Sequence, residues 1–208
     1  MRQYYLQQMG ITPWVLREAK AYKKSFTDLA VSVSTCVRCP LHETRKQTVF
    51  GRGNLKASLM IVGDVPSVDE EQQGVPFAGK AGDLLNKMLS SIGFSKDDIY
   101  IANVLKCRIP ENRAPNPDEI DQCCDYLMQQ IAMVGPKLLL AVGRAAGQLL
   151  CKSTLALNDM RGQVHDYNGI PVIVSYHPEH LLCNLADKKN AYIDLLLLKQ
   201  LMQACKLV

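Results

Sequence analysis

Tyr100-Ile101-Ala102-Asn103-Val104-Leu105-Lys106-Cys107-Arg108-Ile109-Pro110-Glu111-Asn112-Arg113-Ala114-Pro115-Asn116-Pro117-Asp118 passes from an apolar, β-prone run into a loop rich in Pro and Asn. That is the pattern of a buried strand spilling into an exposed loop, and strand-end loops carry chemistry. Asn103 brings one amide acceptor and two donors, suited to reading the edge of a planar base. Cys107 brings a thiolate to the same strand end. Lys106, Arg108 and Arg113 add positive charge, which suits a phosphate-bearing partner.

Outward from this stretch the chain alternates. Ala57 to Gly63, Pro136 to Gly143 and Ile170 to Ser175 are further apolar, strand-like runs. Between and after them Gly82 to Ile92, Pro117 to Val134, Arg144 to Leu150 and Ala186 to Cys205 have helical spacing. Strands that are apolar throughout and alternate with helices predict an α/β fold: a three-layer α/β/α sandwich on a mostly parallel central sheet of about four strands. In such sheets the ligand lies outside the carboxyl ends of the strands, here marked by Gly63-Asp64, Asn103, Gly143 and His177.

At 208 residues without a linker, repeat or low-complexity tract, the chain reads as an N-terminal helical arm, residues 1–34, on one domain, residues 35–208. Trp14 is expected to anchor the arm to the body. A formal net charge of +4 permits nucleic-acid binding without requiring it. No apolar run approaches the roughly 20 residues of a membrane span, and Met1 to Gly10 is too polar for a signal peptide. A soluble cytosolic protein, monomeric and without a membrane partner, is the expectation.

Without a signal, eight cysteines point to metal ligation or core burial rather than disulfides. Cys36-x2-Cys39 with Cys107 and either Cys123 or Cys124 makes four thiolates, enough for a tetrahedral zinc or a [4Fe-4S] cluster. Cys124 suits the apolar face of its helix, with Ile120, Leu127 and Ile131, and is expected in the core. Cys151, Cys183 and Cys205 have no partner pattern and are expected as buried thiols.

With these pieces placed, the sequence resembles the family 4 uracil-DNA glycosylases, the bacterial and archaeal iron-sulfur members of their superfamily. The motifs are the Cys36-Cys39 pair, Gly63-Asp64-Val65-Pro66, Gly74-Val75-Pro76-Phe77-Ala78-Gly79-Lys80-Ala81-Gly82, Asn103 to Pro115, Cys123, Arg161-Gly162, and His177-Pro178 with Leu181-Leu182. The resemblance implies hydrolysis of the N-glycosidic bond of a flipped-out uracil in DNA, as the first step of base-excision repair. It also implies a [4Fe-4S] cluster on Cys36, Cys39, Cys107 and Cys123, structural rather than redox-active.

Hydrolysis of that bond needs negative charge near the sugar cation and neutralisation of charge growing on the base. By the same resemblance Phe77 stacks on the base and Asn103 reads its edge, rejecting cytosine. His177 stabilises the uracil anion at O2, Asp64 handles water and the sugar cation, and Val65 and Asn112 help to bind substrate. Leu181 and Leu182 would wedge into the duplex, with Lys80, Arg108, Arg113 and His180 on the DNA. The chain departs from the family's Gly-Glu-Ala-Pro-Gly pattern at Asp64, one methylene shorter than Glu, and at Ser67, which adds a Cβ. Cys183 stands where the family has Arg. The competing expectation is a weakened or inactive glycosylase-like DNA-binding module, its arm docking a replication or repair protein.

Overall fold

The computed structural model describes residues 25–95 and 97–204; Trp14 with most of the expected arm, and Cys205, lie outside the described residues. Along the chain come α1 (Phe26–Ser34), α2 (Leu41–Thr44), β1 (Arg52–Gly53), β2 (Leu59–Gly63), α3 (Val68–Gln73), α4 (Lys80–Ser90) and β3 (Ile99–Asn103). There follow α5 (Pro117–Val134), β4 (Leu138–Val142), α6 (Arg144–Cys151), α7 (Leu157–Met160), β5 (Val164–Tyr167), β6 (Ile170–Ser175), α8 (Pro178–Cys183) and α9 (Lys188–Ala204).

The sheet is six-stranded, in the order β1-β3-β2-β4-β6-β5. Its middle four strands are the expected parallel set. β1 and β5 add antiparallel edges that the apolar pattern did not announce. Every residue of β2, β3 and β4 is buried, as parallel strands covered on both faces must be. Successive side chains divide between the two faces. Met60, Val62, Ala102, Leu139, Ala141 and Val174 pack under α1, α5 and α6. Leu59, Ile61, Ile101, Leu140 and Ile173 pack under α4 and α9. This is the three-layer sandwich.

α1 begins with a capping box, Ser25 with Asp28, and buries Leu29 and Val33 in the core beside α5. α5 opens on a second box, Asn116 with Glu119, and closes at Gly135 in the left-handed conformation. The buried face of α5 carries Cys123, Tyr126, Leu127, Gln130 and Ile131. Cys124 is therefore not the core cysteine expected; it is half-buried, its thiol on the Asp121 carbonyl. Cys183 likewise departs from expectation and is exposed, and Cys151 is half-buried.

Leu140 on the central strand is fully buried. Leu140→Ala is expected to lower unfolding free energy by about 2–5 kcal/mol through lost burial plus a residual cavity, read by chemical denaturation.

Candidate active site

In-register parallel pairing lines up the strand ends. Gly63 pairs with both Asn103 and Val142, and Val142 pairs with Ser175. β2 leads to β3 on one side, while β4 leads to β6 on the other, so the chain reverses its winding between β2 and β4. At that place lies a cavity of about 860 Å³. Asp64, Val65, Glu70, Phe77, Lys80, Asn112, Arg113, His177, Leu182 and Cys183 are in its walls.

Asn103 is buried at the end of β3; its Nδ2 donates to Glu70 Oε1 at 3.4 Å. Its Oδ1 is buried with no hydrogen-bond partner among the described residues. A buried orphan acceptor costs about 1–3 kcal/mol, which a ligand N–H would recover. The close approach that builds this corner needs a glycine. A Cβ on Gly63 would stand 2.4 Å from Asn103 Oδ1 and 2.8 Å from the Phe77 ring.

Phe77 occupies the left-handed region, φ 52°, a conformation that costs a bulky residue of order 1–3 kcal/mol and persists only where its surroundings enforce it. Glu70 Oε1 accepts the Phe77 N–H, and Arg52 Nη2 donates to the Phe77 carbonyl at 3.4 Å. The ring is thereby held 5.2 Å from that of His177, centroid to centroid. Glu70 is the functional residue that sequence reasoning missed. Within Asp69-Glu70-Glu71 it looks like one more solvated acid, yet it is buried and serves both Phe77 and Asn103. The available signal was Ser67-x-x-Glu70, a capping box that the structure forms. Ser67 sits at φ −77° and caps α3, so its Cβ meets no backbone strain.

His177 caps α8, its Nδ1 accepting from the Glu179 N–H at 3.3 Å. In the neutral ring that bond leaves the proton on Nε2. Burial, reinforced by nearby His180, pushes the imidazole down to about 4, so it is a neutral donor at pH 7.

Asp64 points across to the neighbouring strand end. Its Oδ1 accepts the Ala146 N–H at 2.7 Å, placing the carboxylate at the N-terminus of α6. A Cβ on Gly143 would come within 2.3 Å of it, and at φ +120° only glycine is at ease there. Burial raises the Asp64 carboxyl to about 6, against the Ala146, Ala145 and Arg144 amides that favour the charge. The helix N-terminus, which often holds a ligand anion, here holds the chain's own carboxylate.

The outer candidates separate. Lys80 is exposed on the rim as the first residue of α4, and Asn112, at φ 52°, is also exposed at the cavity. Leu182 is exposed, whereas Leu181 is buried with Tyr176 and Ala191, so one leucine and not two is free to intrude. His180 stacks on Tyr176 and pairs with Asp187 at 2.7 Å. Arg108 lies 3.8 Å from Glu71. Arg113 forks onto Glu119 at 2.5 and 3.0 Å, which fastens the loop to the start of α5.

Cys36, Cys39, Cys107 and Cys123 line one small cavity between the chain after β3 and α5, with Arg38, Arg45 and Lys106. Arg45 Nη1 donates to Cys107 Sγ and the Lys106 N–H to Cys123 Sγ, each at 3.3 Å. Among the described residues no three His, Cys, Asp or Glu side chains are close enough together to grip one metal ion.

Fold and cavity together define an α/β protein with an open cavity at the carboxyl end of its parallel sheet, lined by an aromatic ring, an imidazole and carboxylates. Residues 50–199 match the family model of the Uracil DNA glycosylase superfamily. The type-4 uracil-DNA glycosylase of Archaeoglobus fulgidus is 38% identical over 76% of this chain and 84% of its own length. That of Pyrobaculum aerophilum is 38% identical over 72% and 81%, and that of Thermotoga maritima 37% identical over 75% and 82%. The chain belongs to the uracil-DNA glycosylase superfamily, among the type-4 members.

The folded protein holds the Asp64 proton more tightly than the unfolded chain does. The stabilisation from that proton is complete below about pH 4 and is lost as pH rises through about 6, a change of about 3 kcal/mol for a shift from 3.8 to about 6. Asp64→Asn should flatten this decline in denaturation midpoints measured from pH 4 to 7.

Proposed function

We propose that the chain is a uracil-DNA glycosylase that hydrolyses the N-glycosidic bond of a flipped-out uracil in the first step of base-excision repair. The observation that carries the reading is the unpartnered Asn103 Oδ1, which meets the Phe77 ring over Gly63. Uracil N3–H donates to that oxygen, and Asn103 Nδ2, turned toward Glu70, has a second proton for O4. Cytosine presents an acceptor at N3 and an amino group at position 4, so both contacts fail, and mismatched buried polar groups discriminate strongly.

Cleavage leaves negative charge on the base and positive charge on the sugar. The neutral His177, with its proton on Nε2, donates to O2 as the anion forms, and donates without first losing a charge of its own. Asp64 supplies the negative charge beneath the sugar and helps to hold the attacking water; anchored on α6, it acts from a fixed place. Val65 closes the turn beside it. Leu182 fills the gap left by the flipped nucleotide, and Lys80 meets a phosphate on the rim. A binding module alone would have no use for an orphan acceptor and a neutral donor beside one aromatic ring, with a carboxylate fixed at the neighbouring strand end.

The cysteine cavity fits a [4Fe-4S] cluster on Cys36, Cys39, Cys107 and Cys123. Zinc, with bonds of about 2.3 Å, requires its sulfurs to crowd around one point, whereas a cluster spreads them over separate irons. The lining cations Arg38, Arg45 and Lys106 suit its negative charge. When bound, the group supplies a cross-link between the Cys36-Cys39 turn and the Cys107 loop.

Single-turnover release of uracil from a U:G duplex and from single-stranded DNA tests the function, with Asn103→Ala as control. Release that depends on Asn103 is expected; DNA binding without release overturns the reading. With His177 neutral down to about 4, the acid limb of the rate profile belongs to Asp64 and should fall as pH drops through about 6. Asp64→Asn should remove that limb and slow release about a hundredfold with little change in DNA affinity. Anaerobically purified protein should be brown and lose its colour in Cys107→Ala; colourless, zinc-loaded protein would overturn the cluster assignment.

A further inference from the structure

Lys106 is a buried ion that the mechanism above leaves unused. Its side chain is fully buried, and Nζ donates to the Asn103 carbonyl at 2.7 Å and to Gln130 Oε1 at 2.6 Å. Both partners are neutral, and no carboxylate pairs with the ammonium among the described residues' ion pairs. Buried charge is ordinarily paired. The same residue lines the cysteine cavity, and its backbone N–H donates to Cys123 Sγ. Lys106 therefore touches the cysteine cavity on one side and the base-reading residue on the other.

The grip on Asn103 is the informative part. β2 and β3 pairing continues past the strand ends, with the Val104 N–H on the Gly63 carbonyl at 2.8 Å and the Leu105 N–H on the Asp64 carbonyl at 3.2 Å. These bonds fix the chain after Asn103 but leave the Asn103 carbonyl to Lys106. That carbonyl sets the peptide plane following Asn103, and so the direction in which its side chain leaves the strand. Gln130 steadies the ammonium, with Nε2 donating to the Phe50 carbonyl at 2.9 Å and to Tyr100 Oη at 3.1 Å.

We infer that Lys106 is a positioning residue for uracil recognition: counter-ion to the cysteine-held cluster, it pins the Asn103 carbonyl and so couples occupancy of the cysteine cavity to the aim of the base-reading amide. The inference rests on the glycosylase reading and adds to it a residue that touches neither substrate nor the reacting atoms.

The test uses the full-length chain with Lys106→Met, Asn103→Ala and the double variant, purified anaerobically. Two readouts are taken: iron content with the rate of colour loss to a chelator, and single-turnover uracil release. Lys106→Met should bind iron yet surrender it about tenfold to a hundredfold faster, as loss of a group behind the metal ligands does. Release should fall about a hundredfold, and adding Lys106→Met to Asn103→Ala should cost nothing further. A Lys106→Met protein with wild-type release, or with its full loss repeated on the Asn103→Ala background, overturns the inference.

Should Lys106→Met fail to fold, Gln130→Glu decides. An anionic partner draws the ammonium from the Asn103 carbonyl, so release should drop at unchanged iron content, and unchanged release overturns the coupling. If the wild type itself shows no Asn103-dependent release, the glycosylase reading fails instead, while the iron readout still decides the counter-ion role.

Discussion

Parallel pairing in register is the constraint on which the site depends. Gly63 is opposite Asn103 on one side and Val142 on the other, and Val142 is opposite Ser175. Four buried strands therefore stop at one level, and the residues just past them form a row that no single element could supply. The hydrophobic core exists to hold those strands, but its consequence is positional: a slip of one residue would turn side chains to the wrong layer and scatter the row. Asp64 and His177 come from separate parts of the chain and share a cavity because of this register, and the same register brings the Asn103 amide beside Phe77 in its wall.

Within the row the electrostatic roles are kept apart by environment. His177 is held neutral by burial and aimed by an amide on Nδ1. Asp64 is held at a helix N-terminus, where three amides oppose the burial that would protonate it. The shorter side chain relative to the family's Glu is matched by Gly143, whose missing Cβ leaves room for the carboxylate. Ser67, the other departure, is absorbed as an N-cap. Both residues are accommodated by local structure, Ser67 as an N-cap and Asp64 at the start of α6.

The strands and long helices were legible in sequence because burial on two faces writes continuous apolar runs, and burial on one face writes helical spacing. Asn103 and His177 were legible for the same reason, as polar residues at the ends of such runs. The edge strands were not. Arg52-Gly53 is too short for a pattern, and Val164-His165-Asp166-Tyr167 is largely exposed and reads as loop. Cys123 and Cys124 could not be separated by spacing, since either fits a helix face until the partner helix α1 is known. Leu181 and Leu182 likewise point opposite ways, a distinction set by contact with Tyr176 and Ala191. Glu70 was hidden because its burial comes from the tertiary approach of Phe77 and Asn103, not from any local apolar context.

The hold of Glu70 on Ser67 and Phe77 closes a loop entirely within residues 67–77, whereas Asn103 and His177 arrive from the ends of β3 and β6. The floor of the pocket is thus a contact of short sequence separation, the rest of long separation. Chain-closure entropy favours the former at every stage of assembly. Phe77, between α3 and α4, is held by contacts closed within residues 67–77, whereas Asn103 and His177 reach it only through strand pairings of long sequence separation.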